Sequence, residues 1–533
     1  MRRTLLIGAV LAAVGAGWLV QPAAGAAGTT KTAMSSWVQQ PSHRWPHFRV
    51  VVVEDFTVAD LRHLAGRAAV GLLVPGVGAL TDRHVALESL VRGQDVNPYL
   101  KRRPQQPALL QIKYRTELPE HPSGNTIFVG LPPGGPLRSN ETRYPIAIVG
   151  AGYRGLITSP TTRIRGLVSI VDVVPTALGY LRGRLGFAYT KNPVPQLRLL
   201  DGQISANDRL KLATLIILAC TLVVLALVRP RAALPAVLAA LAVNLVAGAT
   251  HVANEPLLVA MMFLGTIVGG LAIARVCTGD RRLLAAILSV LAVYTVLLAL
   301  HPDWVAITPL GPTQNARFWG IGNQLETILV APVVAGAAIA SRRYGLIGFG
   351  AFALLALVLV TDNRLGSDGG GAVVFGVALA FVGARVLRLG WRGFLTLLLL
   401  DGAVVTAIIQ LNLRVPGPDH LRSAFSNGLP GLGRVIVNRI PLAYVPALRQ
   451  WPLVLPLGLF LATVFAAVMR ATEKRSRDLV LAASLALVVS LLVNDSGTYE
   501  LAGGVGVLAA LARASATFTN SQEANMTRPQ SLR

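Results

Sequence analysis

Three short polar segments interrupt the apolar second half of this sequence, at residues 315–326, 361–371 and 494–500. They contain carboxylates, which can act as general bases or as ligands of a divalent metal. We predict that three of these are catalytic: Glu326, Asp368 and Asp495. The cofactor is left open, and a divalent metal is one that such side chains could hold.

Cationic and amide side chains accompany the carboxylates. An arginine can bind a phosphate or diphosphate through two parallel hydrogen bonds, and the long connector 412–451 could cover a site with further cations. We predict that five residues bind an anionic substrate: Arg317, Asn323, Arg364, His420 and Arg422. The structural alternative is that such residues pair with one another or extend to the membrane interface.

Two neighbouring features have simpler interpretations. The run Gly369-Gly370-Gly371 is similar to a phosphate-binding turn but lacks the Lys-Ser/Thr of a P-loop. Trp319 is predicted to be an anchor at the membrane interface, where tryptophan is enriched.

The elements that must position these residues are membrane-spanning helices. The chain has 533 residues, of which 53% are hydrophobic and 14% charged, and runs of roughly 20 apolar residues are long enough to cross a bilayer. About eleven spans are predicted, at 210–228, 233–250, 257–274, 283–300, 324–341, 346–361, 371–386, 393–412, 453–469, 479–493 and 501–516.

Every second connector between these spans is short and basic, for example 229–231 and 341–343. Lysine and arginine are retained on the cytoplasmic side of a membrane. The basic connectors are therefore predicted to face the cytoplasm, together with the C-terminus. The three polar segments then share the outer face.

The sequence divides into four parts. Residues 1–27 have the basic start, apolar run and small residues of a signal peptide or N-terminal anchor. Residues 28–208 are predicted to form an extracytoplasmic α/β domain, and residues 209–516 an all-α membrane domain of several spans. Residues 517–533 have no apolar periodicity and are predicted to be a disordered cytoplasmic tail.

Short β-branched runs separated by turn residues indicate buried strands in the α/β domain, at 48–53, 69–74, 126–130, 146–150 and 166–174. Residues 60–67 and 172–182 have helical spacing and could cover the sheet. A segment of this length can bury its own core.

Composition also excludes some classes of partner. The net charge of +24 would suggest nucleic-acid binding in a soluble protein, but many of the cations lie in short connectors, where they set orientation and contact lipid headgroups. Membrane lipids are therefore the predicted partners, and nucleic acid is not. The two cysteines, Cys220 and Cys277, do not predict a disulfide.

The α/β domain resembles the alkaline phosphatase/sulfatase superfamily in the phrase Gly166-Leu-Val-Ser169, Asp172 and Pro175-Thr176, and in the strand that ends at Asp55. The resemblance implies a shortened version of that fold. It also implies lost activity, because Asp55, Asp82 and His84 are too few to hold the two metals of that family.

The membrane part resembles bacterial O-antigen ligases and polymerases, in 317–323 and in 363–367 about forty residues later. The phrases at 320–323 and 494–497 are also similar to those of an uncharacterised family of bacterial membrane proteins with such an outer domain. These resemblances imply a bacterial cytoplasmic membrane and a donor carried on polyprenyl phosphate.

The leading hypothesis is thus a transferase of the cell envelope. It would move a glycan or lipid group from a polyprenyl-phosphate-linked donor at the outer face of the cytoplasmic membrane. One alternative is a metal-dependent phosphatase or phospho-group transferase in the α/β domain, using Asp55 and a hydroxyl such as that of Thr81. The other is a scaffold or transporter without catalytic activity.

Overall fold

The computed structural model describes residues 46–78, 80–94, 96, 108–180, 183–315, 317–414, 458, 462, 474–494 and 497–514. The predicted signal segment 1–27 and the tail 517–533 lie outside these ranges. So do most of the connector 412–451 and most of the predicted span 453–469.

The N-terminal part is a mixed α/β domain, as predicted. The strands of its main sheet are β1 (Arg49–Val53), β2 (Ala68–Val74), β4 (Ile112–Arg115), β5 (Thr126–Val129), β7 (Tyr144–Val149), β8 (Gly155–Thr158), β9 (Leu167–Ser169) and β10 (Gly186–Ala188); β3 (Leu80–Thr81) and β6 (Arg138–Ser139) form a separate ribbon. The strand order in the main sheet is β10-β8-β2-β7-β5-β1-β4, with β9 also paired to β2. Neighbouring pairs are parallel except at β7 and β10.

Helices lie on both faces of this sheet because its central strands are apolar on both sides. Alternate residues of β1 point to opposite faces, so Val51 and Val53 join one apolar layer and Val50 and Val52 the other. The helices are α1 (Leu61–Leu64), α2 (Arg83–Arg92) and α3 (Val173–Ala177), the last preceded by a 3-10 turn at Ile170–Asp172.

The C-terminal part is helical and has the character of a multi-pass membrane protein. Eight helices among the described residues are long and apolar enough to cross a bilayer. They are α4 (Pro193–Val228), α5 (Pro230–Ala249), α6 (Glu255–Val276), α7 (Asp280–Leu300), α9 (Asn323–Thr361), α10 (Gly369–Val386), α11 (Gly390–Arg414) and α12 (Lys474–Val493); α8 (Pro302–Ala306) and α13 (Gly497–Ala512) are shorter. The total of eleven spans stays a prediction.

Helix α9 folds back on itself at Gly345, whose backbone is non-helical with φ 64° and ψ −150°. A side chain added at Gly336 would meet the ring of Phe352, and these two positions lie at equal distances on either side of residue 344. The predicted spans 324–341 and 346–361 are therefore the two arms of a hairpin. As a result, the polar segments 315–326 and 361–371 reach the same end of the bundle.

The α/β domain is joined to the bundle by a continuous helix. Helix α4 begins at Pro193 and runs without a break to Val228, so the predicted domain boundary at residue 208 lies inside it. Arg143 of the domain donates hydrogen bonds to Asp201 and Ser205 on this helix. One apolar layer of the sheet also continues into Ile307, Phe318 and Trp319 of the membrane part.

The connector between α7 and α9 is irregular but mostly buried from Val305 to Gly322. Irregular backbone at membrane depth is tolerated when protein surrounds it. Asn244 of α5 forms hydrogen bonds with this connector. The Asn244 side-chain amide donates to Thr308 Oγ1 at 3.1 Å, and the Asn244 side-chain oxygen accepts from Leu310 N at 3.2 Å. The connector thereby holds the segment that carries Arg317 against the bundle.

Candidate functional site

The structure brings the three polar segments together at the end of the bundle that contacts the α/β domain. Ile321 N donates to Gly366 O at 2.9 Å, which joins the first segment to the second. The Asn494 amide donates to Glu326 Oε2 at 3.1 Å, which joins the third segment to the first. We call the set Arg317, Glu326, Asp368, Ser490, Asn494 and Glu500 the acidic cluster.

Glu326 lies at the centre of the acidic cluster and is 0% exposed. Its carboxyl accepts hydrogen bonds from Asn494 Nδ2 and, at 3.3 Å, from Ser490 Oγ. Asn494 Nδ2 also lies 2.8 Å from Ser490 Oγ. Because two side chains hold the carboxyl, its orientation is defined, as a catalytic group requires.

Glu326 is among the residues predicted to be catalytic, and Ser490 is not. Ser490 precedes Asn494 by four residues on helix α12, which places both side chains on one face of the helix. That spacing was the available signal.

Three helices begin at the acidic cluster: α9 at Asn323, α10 at Gly369 and α13 at Gly497. The N-terminus of a helix carries roughly half a positive charge and favours acidic side chains nearby. Glu326, Asp368 and Glu500 lie in or next to these first turns and are all buried. The convergence of helix ends explains how the protein tolerates three buried carboxyls here.

Arg317 has a different role from the one its sequence suggests. Its Nη1 lies 3.1 Å from Asp368 Oδ2, and its Nη2 donates to Gly366 O at 2.8 Å and to Ser367 O. The guanidinium is therefore engaged within the protein and fastens the second polar segment to the first. We assign it to positioning Asp368 rather than to binding phosphate.

The run of glycines at 369–371 allows close packing. A side chain at Gly370 would collide with Asn494 Oδ1. A Cβ at Gly371 would lie 3.0 Å from Glu326 Oε2 and 3.1 Å from Asp368 Cγ. The two carboxyls thus flank one point, and a Cβ there would also lie 2.7 Å from Val360 Cγ2, so this close packing requires glycine.

The remaining predicted residues are placed as follows. Asn323 is half-buried in the first turn of α9, where its carbonyl accepts from Thr327 Oγ1. Arg364 is half-buried beside Asp362, which accepts its backbone N–H at 2.8 Å. Asp495, His420 and Arg422 lie outside the described residues.

A second polar group lies where the α/β domain contacts the bundle. It consists of Arg163, Asp362 and Arg364. Burial raises the pKa of Asp362, and the guanidinium groups of Arg364 and Arg163 oppose that rise. Arg163 Cζ stacks 3.5 Å from the ring centroid of Trp319. Trp319 is 4% exposed, so it is a domain contact and not the predicted interfacial anchor.

The α/β domain offers little to a metal-dependent phosphatase. Asp82 caps helix α2 by accepting from Val85 N at 2.8 Å, Thr81 is buried, and Asp55 and His84 are exposed. No group of three or more His, Cys, Asp or Glu side chains that could hold a metal ion occurs in the part of the chain that the structure describes. That alternative therefore gains no support from geometry.

The sequence motif around Asp172 has a structural role. The buried Asp172 carboxyl accepts hydrogen bonds from Ser159 Oγ, Thr161 N and Thr161 Oγ1, the last at 2.6 Å. Burial raises the pKa of Asp172 to about 6, against the opposing effect of these hydrogen bonds. The carboxyl holds the loop that follows β8 in place.

A shallow apolar groove lies on the surface between α4 and α6, away from both polar groups. Leu210, Ile217, Val259, Ala260 and Phe263 line it, together with Pro256 and Glu255. Glu255 is paired with Arg209 at 2.6 Å. The groove has no part in the chemistry of the acidic cluster.

No protein-family model matches the chain, and neither a curated protein nor a solved structure matches it. Function therefore has to follow from the chemistry of the site.

Proposed function

We propose that this protein is a membrane-embedded transferase that moves a glycan or lipid group from a polyprenyl-phosphate-linked donor. It acts at the outer face of a bacterial cytoplasmic membrane. The observation that supports this most is the position of Glu326: a buried, oriented carboxyl at the point where three distant segments meet. Ionisable side chains are rare in membrane spans and mark functional sites there.

Glu326 is the general base in this proposal. Its carboxylate takes the proton of the acceptor hydroxyl, the acceptor oxygen attacks the transferred group, and the bond to the donor phosphate oxygen breaks. The polyprenyl phosphate or diphosphate leaves with the bonding electrons. Such proton transfer contributes roughly 10²–10⁴ in rate. Because Glu326 is fully covered, acceptor binding requires the Asn494 amide to move off the carboxyl.

Asp368 and Arg317 support this step without touching the acceptor. The ion pair at 3.1 Å keeps one negative charge beside Glu326 and balances it with a positive one. Ser490 and Asn494 donate hydrogen bonds that hold the carboxyl of Glu326 in one orientation until the acceptor arrives.

The test is Glu326→Gln in the full-length protein, reconstituted in vesicles with a radiolabelled polyprenyl-diphosphate-linked sugar and cell-envelope acceptors. We expect kcat to fall at least a hundredfold, with the variant still folded in the membrane. Glu255→Gln is the matched control, because Glu255 lies on α6 and pairs with Arg209 outside the acidic cluster. Transfer by Glu326→Gln at the wild-type rate would refute the proposal.

A second candidate is proton-linked movement of a lipid or glycolipid across the membrane. Asp401 favours it: this carboxyl lies in the middle of helix α11, is 9% exposed, and its Oδ2 has no hydrogen-bond partner in the described part of the chain. Buried carboxyls in membrane spans serve as proton relays in transporters.

The two candidates separate in the same vesicles. A transporter moves a fluorescent lipid between leaflets, faster under a pH gradient, and Asp401→Asn abolishes that movement. A transferase forms product at equal pH on both sides, and Asp401→Asn leaves product formation unchanged.

A further inference from the structure

Helix α4 carries a lysine that is buried where the helix meets the connector between α7 and α9. The side chain of Lys211 is 3% exposed, and its Nζ lies 3.5 Å from Asp208 Oδ1 on the same helix. A shorter contact reaches the connector, because Lys211 Nζ donates to Thr313 Oγ1 at 3.1 Å. Lysine is almost never fully buried without partners, so the contact with the connector helps to account for the position of this side chain.

Thr313 links Lys211 to the acidic cluster. The carbonyl of Thr313 accepts a hydrogen bond from Arg317 N at 3.0 Å, so Thr313 binds Lys211 through its side chain and Arg317 through its backbone. Arg317 Nη1 in turn lies 3.1 Å from Asp368 Oδ2. A continuous path of contacts therefore leads from Lys211 to one of the two carboxyls that flank Gly371.

Two further contacts hold the same turn of the connector. Gly78 N of the α/β domain donates to Asn315 O at 2.7 Å. Gln314 Nε2 donates to Ala306 O at 3.1 Å, within the connector. Of these three contacts, that of Lys211 comes from a side chain outside the connector. A substitution at Lys211 therefore weakens the attachment of this turn without changing the sequence of the connector or of the acidic cluster.

The packing of α4 on α13 places Lys211 at the depth of the acidic cluster. A Cβ at Gly503 would lie 3.4 Å from Leu215 Cδ2, and a Cβ at Gly506 would lie 2.9 Å from Ala219 Cα. The two helices therefore run side by side in the same direction. One turn earlier on both helices, Lys211 is level with the first turn of α13, which begins at the acidic cluster.

We infer that Lys211 is a positioning residue of the acidic cluster, which fixes Thr313 and, through it, Arg317 and Asp368. This inference rests on the proposed transferase function, in which Arg317 and Asp368 support proton transfer to Glu326. Lys211 acts through these residues and contacts neither the donor nor the acceptor. A charged donor suits this role, because hydrogen bonds from charged groups are stronger than those between neutral groups.

The experiment compares Lys211→Met with wild type in the full-length protein, in the vesicles used for Glu326→Gln. We expect hydrogen exchange of the Arg317 amide to be at least tenfold faster, as for the loss of one hydrogen bond from a charged donor, with exchange in β9 unchanged. We expect kcat to fall about tenfold, because displaced supporting side chains slow the chemical step, with KM unchanged. Lys191→Met is the matched control, because Lys191 is exposed just before α4; it should match wild type in every measurement.

Substitutions of Thr313 remove the same hydrogen bond from its other end, and they keep the test decisive if Lys211→Met does not fold. Thr313→Val replaces the hydroxyl by a methyl group and should produce the same changes in exchange and kcat. Thr313→Ser keeps the hydroxyl and should recover most of the kcat that Thr313→Val loses. Lys211→Met combined with Thr313→Val should lose no more than either variant alone, because the two substitutions remove one shared contact.

The inference requires both changes to occur together. Faster exchange of the Arg317 amide with a wild-type kcat would show that catalysis does not depend on this contact. A lower kcat with unchanged exchange would show that Lys211 does not act through this turn. A higher KM with unchanged kcat would show that Lys211 binds substrate instead. Each of these three results overturns the inference.

Failure of this inference can be distinguished from failure of the proposed function. If Glu326→Gln abolishes transfer while Lys211→Met keeps the wild-type kcat, only the role of Lys211 is wrong. If Glu326→Gln transfers at the wild-type rate, the transferase function is wrong, and exchange of the Arg317 amide still shows whether Lys211 holds the turn.

Discussion

Buried carboxyls occur in both parts of this protein, and the two parts accommodate them differently. In the α/β domain, Asp172 accepts hydrogen bonds from Ser159 and Thr161, which lie within thirteen residues of it. In the bundle, Glu326 accepts from Ser490 and Asn494, more than 160 residues away. The local network around Asp172 fixes one loop. The hydrogen bonds of Glu326, in contrast, depend on how the distant segments are placed relative to one another.

The surroundings differ in charge as well. The hydrogen-bond donors to Asp172 are all neutral. The acidic cluster, in contrast, combines Arg317, three carboxyls and three helix N-termini. Charges buried together are costly unless they are paired and hydrogen-bonded. Proteins retain such arrangements where chemistry requires them, and this difference is why we place function in the bundle.

Close backbone packing at the acidic cluster should be the most sensitive feature. Gly320 has φ 90°, and a side chain there would collide with the backbone of Gly366. We expect Gly320→Ala to lower the free energy of unfolding by roughly 3 kcal/mol or more, because backbone strain and overpacking add. Size-exclusion chromatography of the heated, detergent-solubilised protein measures the loss of folded material.

Gly350→Ala is the control for that substitution. Gly350 is an exposed helical residue of α9, and an added Cβ meets nothing within 4 Å. Alanine is a better helix former than glycine, so this variant should be more stable by up to about 1 kcal/mol. A similar loss of stability in both variants would mean that the packing at Gly320 is not special.

The ion pair of Arg317 should come next in effect. Arg317→Gln leaves Asp368 buried without its cation, and removing one partner of a buried pair costs roughly 3–5 kcal/mol; the partial exposure of Arg317, 20%, places the expectation at the lower end. Arg317→Gln combined with Asp368→Asn should recover part of this loss. Thermal unfolding of the two single variants and the double variant measures the coupling, and additive losses would contradict it.

Much of this architecture was predictable from local sequence. All five predicted strand segments contain strands, because β-branched runs between turns bury both faces of a sheet. The meeting of the three polar segments at one end of the bundle also agrees with the prediction. That prediction follows from the number of spans, because two segments separated by an even number of membrane crossings lie on the same side of the membrane.

Other features could not be predicted, because they depend on which side chains meet. Arg317 was predicted to bind an anionic substrate, but its guanidinium is paired with Asp368. The stacking of Arg163 on Trp319 joins residues 156 positions apart, and no local periodicity encodes it. Trp319 could be assigned to the membrane interface from its position alone, and only the docked α/β domain shows otherwise.

The pH dependence of the α/β domain tests the local network of Asp172. The pKa of this carboxyl is raised from 3.8 to about 6, so the folded state binds a proton more tightly than the unfolded state. Its stabilising contribution is present below pH 3.8 and is lost as the pH rises through 6. Between pH 4 and pH 7 the loss amounts to about 2 kcal/mol.

Asp172→Asn removes this titration. We expect the free energy of unfolding of the variant, relative to wild type, to rise by about that amount between the two pH values. Hydrogen exchange of the amides in β9 of the full-length protein measures the stability of the α/β domain directly. A difference between variant and wild type that does not change with pH would contradict the assignment.

The smallest effect is expected at a surface ion pair that matches the buried one in geometry. Arg83 Nη2 lies 3.0 Å from Glu54 Oε1, almost the distance between Arg317 and Asp368, but the two side chains are 29% and 50% exposed. Water and salt screen such a pair, and exposed pairs contribute less than about 1 kcal/mol. Arg83→Gln should therefore change the free energy of unfolding by no more than that amount, with the change shrinking as salt is added. Because the two distances are nearly equal, an effect as large as that of Arg317→Gln would show that burial does not explain the difference between the two ion pairs.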